Sequence, residues 1–259
     1  MPSKKLICFI LLSLTIALTN NVNAKTIRIA VASNFVETAR QLSRSFEETS
    51  EHSIQISSGS SGKLYLQIVN GAPFDLFLSA DSDKPNELVK NGFAIADSQQ
   101  IYAVGKLVLW LKHCSTQNNL KTLSNSRIKK IAIANPKLAP YGFASKKLLE
   151  HHQLWEIVSK KLIYPENIAQ VAQYAKLGVI DAALIAESNV KHLGLGKESC
   201  LIELQTGDYP AINQQLVILT KSENKRLAKD FVRFLASKNA QILIKNMGYL
   251  LPNSARIAQ

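Results

Sequence analysis

Apolar and polar positions follow two rhythms along this chain. In Thr26-Ile-Arg-Ile-Ala-Val-Ala32 they alternate and then turn wholly apolar, which predicts a short strand. Ser33 and Asn34 follow, both residue types that cap helix starts. Phe35, Ala39, Leu42 and Phe46 then recur at helical spacing and predict one apolar helix face. The cycle repeats. A strand over Ser53 to Ser57 ends in Ser58-Gly-Ser-Ser-Gly62, and a helix from about Lys63 to Asn70 carries Leu64, Ile68 and Val69. Gly71-Ala-Pro73 closes that helix, Asp75-Leu-Phe-Leu-Ser79 is a third strand, and a helix around Pro85 to Asn91 comes after it.

A second series follows. Lys106 to Lys112 and Lys130 to Ala134 read as strands, and Gly142 to His151 and Trp155 to Lys161 as helices. Glu166-Asn167 precedes a helix through Ile168, Val171, Ala172 and Ala175, and Ala182-Ala-Leu-Ile185 is a buried strand. Leu216 to Thr220 is a strand leading into helices over 224–237 and 239–247. Alternation of this kind argues an α/β fold with parallel sheets. Ligands in such sheets bind at the carboxyl ends of strands, beside helix starts. Ser33 and the 58–62 loop both fall at such positions. No Pro/Gly-rich linker and no repeat separates the two series, as expected for two lobes joined by crossing strands.

The first residues change the picture of where the chain works. Lys4 and Lys5 precede an apolar run from Leu6 to Leu18, polar Asn20, Asn21 and Asn23 break it, and Val22 and Ala24 sit at small-residue cleavage positions. This reads as an export signal over residues 1–24, giving a periplasmic mature chain from Lys25, with an uncleaved membrane anchor as the alternative. Cys8 lies within the apolar run without the small residues of a lipoprotein site before it. No later segment is long and apolar enough to span a membrane. The formal charge of +12 falls to +10 without the signal, because Lys4 and Lys5 leave and no acid does. The basic residues are scattered and the chain is exported, which argues against nucleic acid. They read as a solvated surface, with long-range steering of an anion as the functional alternative. Of three cysteines, Cys114 and Cys200 survive cleavage. In an oxidising compartment they have the option to pair, a bond worth roughly 4 kcal/mol on the chain-entropy view. The sequence does not show them close, so both states stay open.

The sharpest chemistry is the Ser/Gly loop at a helix start. About four unpaired N–H groups and a partial positive charge make such a terminus an anion site without a counter-charge. Glycine admits close backbone approach, and serine hydroxyls add donors. Ser33 and Ser61, at successive strand–helix junctions, are candidates to meet on one anion; helix capping alone is the plainer reading. Ser60-Ser-Gly-Lys63 also fits the Ser-x-x-Lys spacing of serine acyl-enzymes, but no Ser-Asp-Asn or Lys-Thr-Gly partner exists. Leu64 after Gly62-Lys63 excludes a phosphate-loop NTPase signature, and Lys63 reads as a solvent-facing lysine. His151 and His152 are adjacent, so within a helix they point to different faces, which is poor metal geometry. Trp110 and Trp155 read as core.

Taken together, Ala30-Val-Ala-Ser-Asn-Phe35, Ser58-Gly-Ser-Ser-Gly-Lys-Leu64, Gly71-Ala-Pro-Phe-Asp-Leu-Phe-Leu-Ser-Ala-Asp81, Ala134-Asn-Pro-Lys-Leu-Ala-Pro-Tyr-Gly142, Glu166-Asn-Ile-Ala-Gln170, Tyr209-Pro-Ala-Ile-Asn-Gln214 and Met247-Gly-Tyr249 form an ordered set. With them the chain resembles the periplasmic molybdate-binding proteins of ABC importers over nearly all of its mature length. The resemblance implies an α/β, two-lobed type II periplasmic binding fold with the ligand cleft between lobes. Residues 25–103 and 221–259 would form the first lobe and 104–220 the second. It implies a non-catalytic, monomeric carrier whose partners are the molybdate or tungstate oxyanion and an ABC permease, with no cofactor. Two serines, matching Ser33 and Ser61, would each give hydroxyl and backbone donors, touching the metal only through its oxygens. Tyr141 and Ile168 match two further backbone donors.

One departure stands out. Many members place a tyrosine hydroxyl where this chain has Ala186. A lost hydrogen bond to a charged group costs about 1.5–3 kcal/mol if nothing replaces it, and Ser188 and the Tyr141 hydroxyl are candidates to do so. Sulfate, phosphate or a small organic anion are the alternative ligands. A rigid ring of donors sized for long metal–oxygen bonds would leave sulfate under-coordinated.

Overall fold

The computed structural model describes residues 24–115, 118–195 and 199–252. The export signal read at residues 1–24 therefore lies, but for Ala24, outside the described residues, as do 253–259 of the expected first lobe.

The opening strands and helices form where the pattern places them: β1 (Thr26–Ala32), α1 (Val36–Glu47), β2 (Ser53–Gly59), α2 (Ser61–Val69), β3 (Leu76–Leu78) and α3 (Asp83–Lys90). β4 (Gln100–Gly105) follows, and after Lys106 alone the chain starts β5 (Leu107–Leu111). Then come β6 (Ile131–Ala132), α4 (Pro140–His151), α5 (Trp155–Val158), β7 (Leu162–Ile163), α6 (Ile168–Lys176), β8 (Ala182–Ala186), α7 (Glu187–Leu193) and β9 (Cys200–Glu203). β10 (Ile212–Ile218), α8 (Lys225–Leu235) and α9 (Lys238–Asn246) complete the described chain.

These strands build two five-stranded sheets, ordered β2-β1-β3-β10-β4 and β7-β6-β8-β5-β9. β4 and β5 are one residue apart and lie in different sheets, so the chain crosses between lobes at Gly105–Lys106. It crosses back between β9 and β10. β10, which the sequence reading placed in the second lobe, pairs with β3 and β4 in the first sheet. The sheets are also mixed rather than parallel. β10 runs antiparallel to β3 and β4, and β5 runs antiparallel to β8 and β9. Apolar periodicity reports which face of a strand is buried but not its direction, and β4, β5 and β10 flank the two crossings.

Period-two alternation sorts the first lobe's core. Ile27, Ile29, Val31, Leu76, Leu78, Leu216 and Ile218 pack on one face with Phe35, Leu42, Phe46 and Phe231. Ala30, Phe77 and Val217 face the other way, against Leu64, Ile68 and Leu88. In the second sheet β5 (LVLWL) and β8 (AALIA) are buried along their whole length, the mark of strands covered on both faces. Cys114 and Cys200 are joined as a disulfide, with Cα atoms 5.4 Å apart. Leu111 pairs with Cys200, so the bond clips edge strand β9 to β5. Trp110 is buried as expected, and its indole N–H donates at 2.8 Å to the Oγ of Ser199, just before β9.

Candidate functional site

Three helix starts meet between the sheets. At α2 the side chain of Ser60 caps by accepting from the Lys63 amide at 3.4 Å, leaving Ser61 as first helical residue. At α4 Pro140 stands at the first position, with a fixed φ suited to starting a helix. At α6 Asn167 accepts from the Gln170 amide at 3.1 Å, leaving Ile168 first. α2 belongs to the first lobe, and α4 and α6 to the second. All three starts line one small cavity walled by Ala32, Ser33, Asn34, Ser60, Ser61, Ala80, Ala139, Pro140, Tyr141 and Ile168. The cavity is narrow, too small for an organic ligand of the usual pocket size. The four residues singled out from sequence, Ser33, Ser61, Tyr141 and Ile168, are thus brought together. No wall residue carries a charge.

The free donors can be counted residue by residue. Ser61 and Ile168 are first in their helices and Tyr141 is second, so their N–H groups have no acceptor within the helix. None of the three has another acceptor among the described residues. Ser61 Oγ accepts from the Ala80 amide at 2.9 Å, which leaves its own proton to donate. Ser33 Oγ has no partner among the described residues, but its amide donates to Gly59 O at 2.9 Å. The expectation of hydroxyl and amide from both serines therefore fits Ser61 only, because Ser33 sits where β1 and β2 still pair. Asn34, missed by the sequence reading as a wall residue, adds an amide with no acceptor among the described residues. Backbone donors carry no side-chain signature, so only position at a strand end pointed to it.

Contacts across the cleft hold the walls together. The Gly62 amide donates to Leu138 O at 2.9 Å, and a Cβ on Gly62 would stand 2.9 Å from the same oxygen. Lys63 Nζ reaches Glu166 Oε2 at 3.0 Å, so this lysine answers the opposite lobe rather than solvent alone. Ser188 Oγ donates to Asn34 O at 3.2 Å. Beneath them lies a buried network. Gln214 Oε1 accepts from Asn34 Nδ2 at 2.9 Å and from the Tyr102 hydroxyl at 3.0 Å, while its Nε2 donates to the Tyr141 hydroxyl at 3.4 Å. The Tyr249 hydroxyl donates to Asn34 O at 2.7 Å. Burial pushes the hydroxyls of Tyr102, Tyr141 and Tyr249 well above the usual tyrosine range, so all three stay protonated and neutral.

The structure also bears on the lesser candidates. Ser60 Oγ is turned to cap α2 and Lys63 Nζ to Glu166, which leaves the Ser-x-x-Lys spacing without a nucleophile–base pair. Ala186 and Ser188 do not line the cavity, and the Ser188 hydroxyl is engaged with Asn34. Tyr141 lines it, but its hydroxyl lies against Gly105 and Gln214.

The family of bacterial extracellular solute-binding proteins matches residues 27–250. The chain belongs to this family. This solute-binding protein is 33% identical over 240 residues to the molybdate-binding protein ModA of Rhodobacter capsulatus, covering 92% of this chain and 94% of that one. It is 36% identical over 227 residues to the molybdate-binding protein ModA of Azotobacter vinelandii, covering 87% and 90%. Its fold is similar to the solved Azotobacter vinelandii periplasmic molybdate-binding protein, with a TM-score of 0.83 and 34% identity over 87% of this chain and 99% of that one. Among its described residues no helix is long and apolar enough to cross a membrane.

Proposed function

We propose that this solute-binding protein captures molybdate or tungstate in the cavity between its lobes and delivers it, as a periplasmic monomer, to an ABC permease. One observation carries the reading: three helix starts from two lobes present unpaired N–H groups to one small, uncharged cavity. Each helix start contributes roughly half a positive charge, so three of them offset most of a dianion's charge, and hydroxyl and amide hydrogen bonds can meet the rest without a lysine or arginine. Ser61 and Ser33 supply hydroxyls from the first lobe; Tyr141 and Ile168 supply amides from the second. The ion binds through its oxygens, with no direct bond from protein to metal. Groups on both lobes are needed at once, so capture favours the closed arrangement over the open one. The similar proteins named for molybdate binding support this choice of ion. The similar proteins are named as binding proteins, which supports a carrier rather than an enzyme.

A thermal-shift series with molybdate, tungstate, sulfate and phosphate tests the assignment. At a ligand concentration a hundredfold above Kd the stabilisation is about 2.7 kcal/mol, or about 5–11 °C for a chain of this size. Molybdate and tungstate should give that rise and sulfate and phosphate little. A flat response to both metal oxyanions would refute the assignment, and an equal response to sulfate would refute the selectivity.

A further inference from the structure

At the far end of α4 from the anion cavity the helix stops in an unusual way. Gln153 is the one non-glycine residue with positive φ (57°) among the described residues. Its amide donates to Glu150 O, and the Leu154 amide to Leu149 O at 2.8 Å, which is the double hydrogen bond of a left-handed helix stop. That stop changes the reading of His151 and His152. Neighbours within a helix diverge, but here the helix ends between them, with His152 as its C-terminal cap. Their rings lie 5.1 Å apart, and both approach Asp208, a residue of the segment that carries the chain back to the first lobe. His152 Nε2 is 2.8 Å from Asp208 Oδ2, and His151 Nε2 is 3.9 Å from Asp208 Oδ1.

We propose that His151, His152 and Asp208 form a binding site for a divalent transition cation of the zinc class, separate from the anion cavity. Among the described residues this is the one group of three or more His, Cys, Asp or Glu whose ligand atoms gather this closely, all within 4.8 Å of one another. Tetrahedral zinc with nitrogen and oxygen ligands at about 2.0–2.2 Å sets ligand atoms about 3.3–3.6 Å apart. The observed 2.8 and 3.9 Å bracket that spacing, and the side chains are exposed enough to adjust. Two imidazoles and one carboxylate match the ligand preference of zinc and leave a fourth position for water.

The surroundings favour a cation. The last carbonyls of α4 form the negative end of a twelve-residue helix. The lysines nearest on that helix, Lys146 and Lys147, share Glu150 at 3.5 and 2.8 Å, which offsets one of their two positive charges locally. The chain's net positive charge is screened beyond about 8 Å at physiological salt. The Asp208 backbone is held on both sides: its amide donates to Gln205 O at 3.1 Å, and the hydroxyl of buried Tyr209 accepts from the Leu107 amide at 3.2 Å.

The test is calorimetric titration of zinc chloride into tag-free, metal-stripped, disulfide-intact protein, compared with His151→Ala, His152→Ala and Asp208→Asn. The expected result is one zinc per chain, with at least about a tenfold loss of affinity in each variant, since even losing a residue behind a metal ligand costs 10–100-fold. Asp208→Asn keeps shape and volume, and each variant's melting temperature and response to molybdate check that it is folded. Absence of zinc binding by the unmodified protein, or unchanged affinity in the folded variants, overturns the proposal. The outcome does not depend on which anion the cavity takes.

Discussion

Replacing Gly62 by alanine separates closure of the lobes from stability of the fold. Gly62 is second in α2, and its φ is not positive, so alanine adopts the same backbone. In an open molecule the added methyl meets nothing from the second lobe, and exchanging glycine for alanine in a helix stabilises by about 0.4–1 kcal/mol. In the closed molecule the Cβ stands 2.9 Å from Leu138 O, half an ångström inside normal contact, and the obstacle is backbone. Overpacking of this kind costs about 1–3 kcal/mol. Backing the lobes apart also weakens the Gly62 N–H to Leu138 O bond, worth about 1 kcal/mol. The closed state therefore loses about 2–4 kcal/mol while the open state loses nothing. If the ion is held only by groups on both lobes, that whole difference appears in binding, as molybdate affinity roughly 30- to 1000-fold weaker. Calorimetric titration of molybdate measures the affinity, and the melting temperature of the ligand-free protein should stay level or rise. Wild-type affinity in Gly62→Ala would refute the claim that binding requires this approach of the lobes.

Other consequences follow from the same geometry. Ser33→Ala removes one hydroxyl donor and should weaken molybdate binding by about 1.5–3 kcal/mol with little change in ligand-free melting. Ser61→Ala should weaken binding as much and also lower the melting temperature, because the Ala80 amide loses its acceptor; calorimetry and melting curves read both. Tyr102, Tyr141 and Tyr249 keep their protons in the folded state above the pH at which the unfolded chain loses them. Their contribution is complete below about pH 10 and falls as pH rises toward the folded values, by about 1.4 kcal/mol per pH unit for each. Urea unfolding at pH 10 to 12 should show this decline, while molybdate affinity stays flat from pH 7 to 9. Reducing the Cys114–Cys200 bond, or changing both residues to serine, should cost about 2–5 kcal/mol in urea unfolding. Amide exchange in β9 should rise first, since the bond holds that edge strand to β5.

Much of the first lobe was legible because β1, α1, β2 and α2 each keep a clean period, and serine and glycine punctuate their ends. The pattern does not show β4, β7, β9 or α7. β9 is a four-residue, half-exposed edge strand with no apolar face to announce it. β4 is buried toward its end only by partners distant in sequence, β10 and the bridge from Leu250 to Val104. Strand direction is invisible for the same reason, so the pattern alone puts β10 with the second lobe and makes the sheets parallel, whereas β10 pairs in the first sheet and both sheets are mixed. At the site, serines before glycine at a helix start were visible as chemistry. Tyr141 and Ile168, as proposed, would act through backbone groups, which carry no side-chain signature, so only the family resemblance points to them. The Ser33 amide could not be foreseen as engaged, because its acceptor, Gly59, reaches it through the β1–β2 pairing. The Asn34–Gln214–Tyr141 network joins residues up to 180 apart in the chain and leaves no local pattern.

The most direct test is a crystal of the protein grown with molybdate, with diffraction recorded on either side of the molybdenum absorption edge. A single anomalous peak should appear between Ser33, Ser61, Tyr141 and Ile168, ringed by hydroxyl and amide donors and touched by no charged side chain. A peak at another place, or one in this cavity held by a lysine or arginine, would contradict the account.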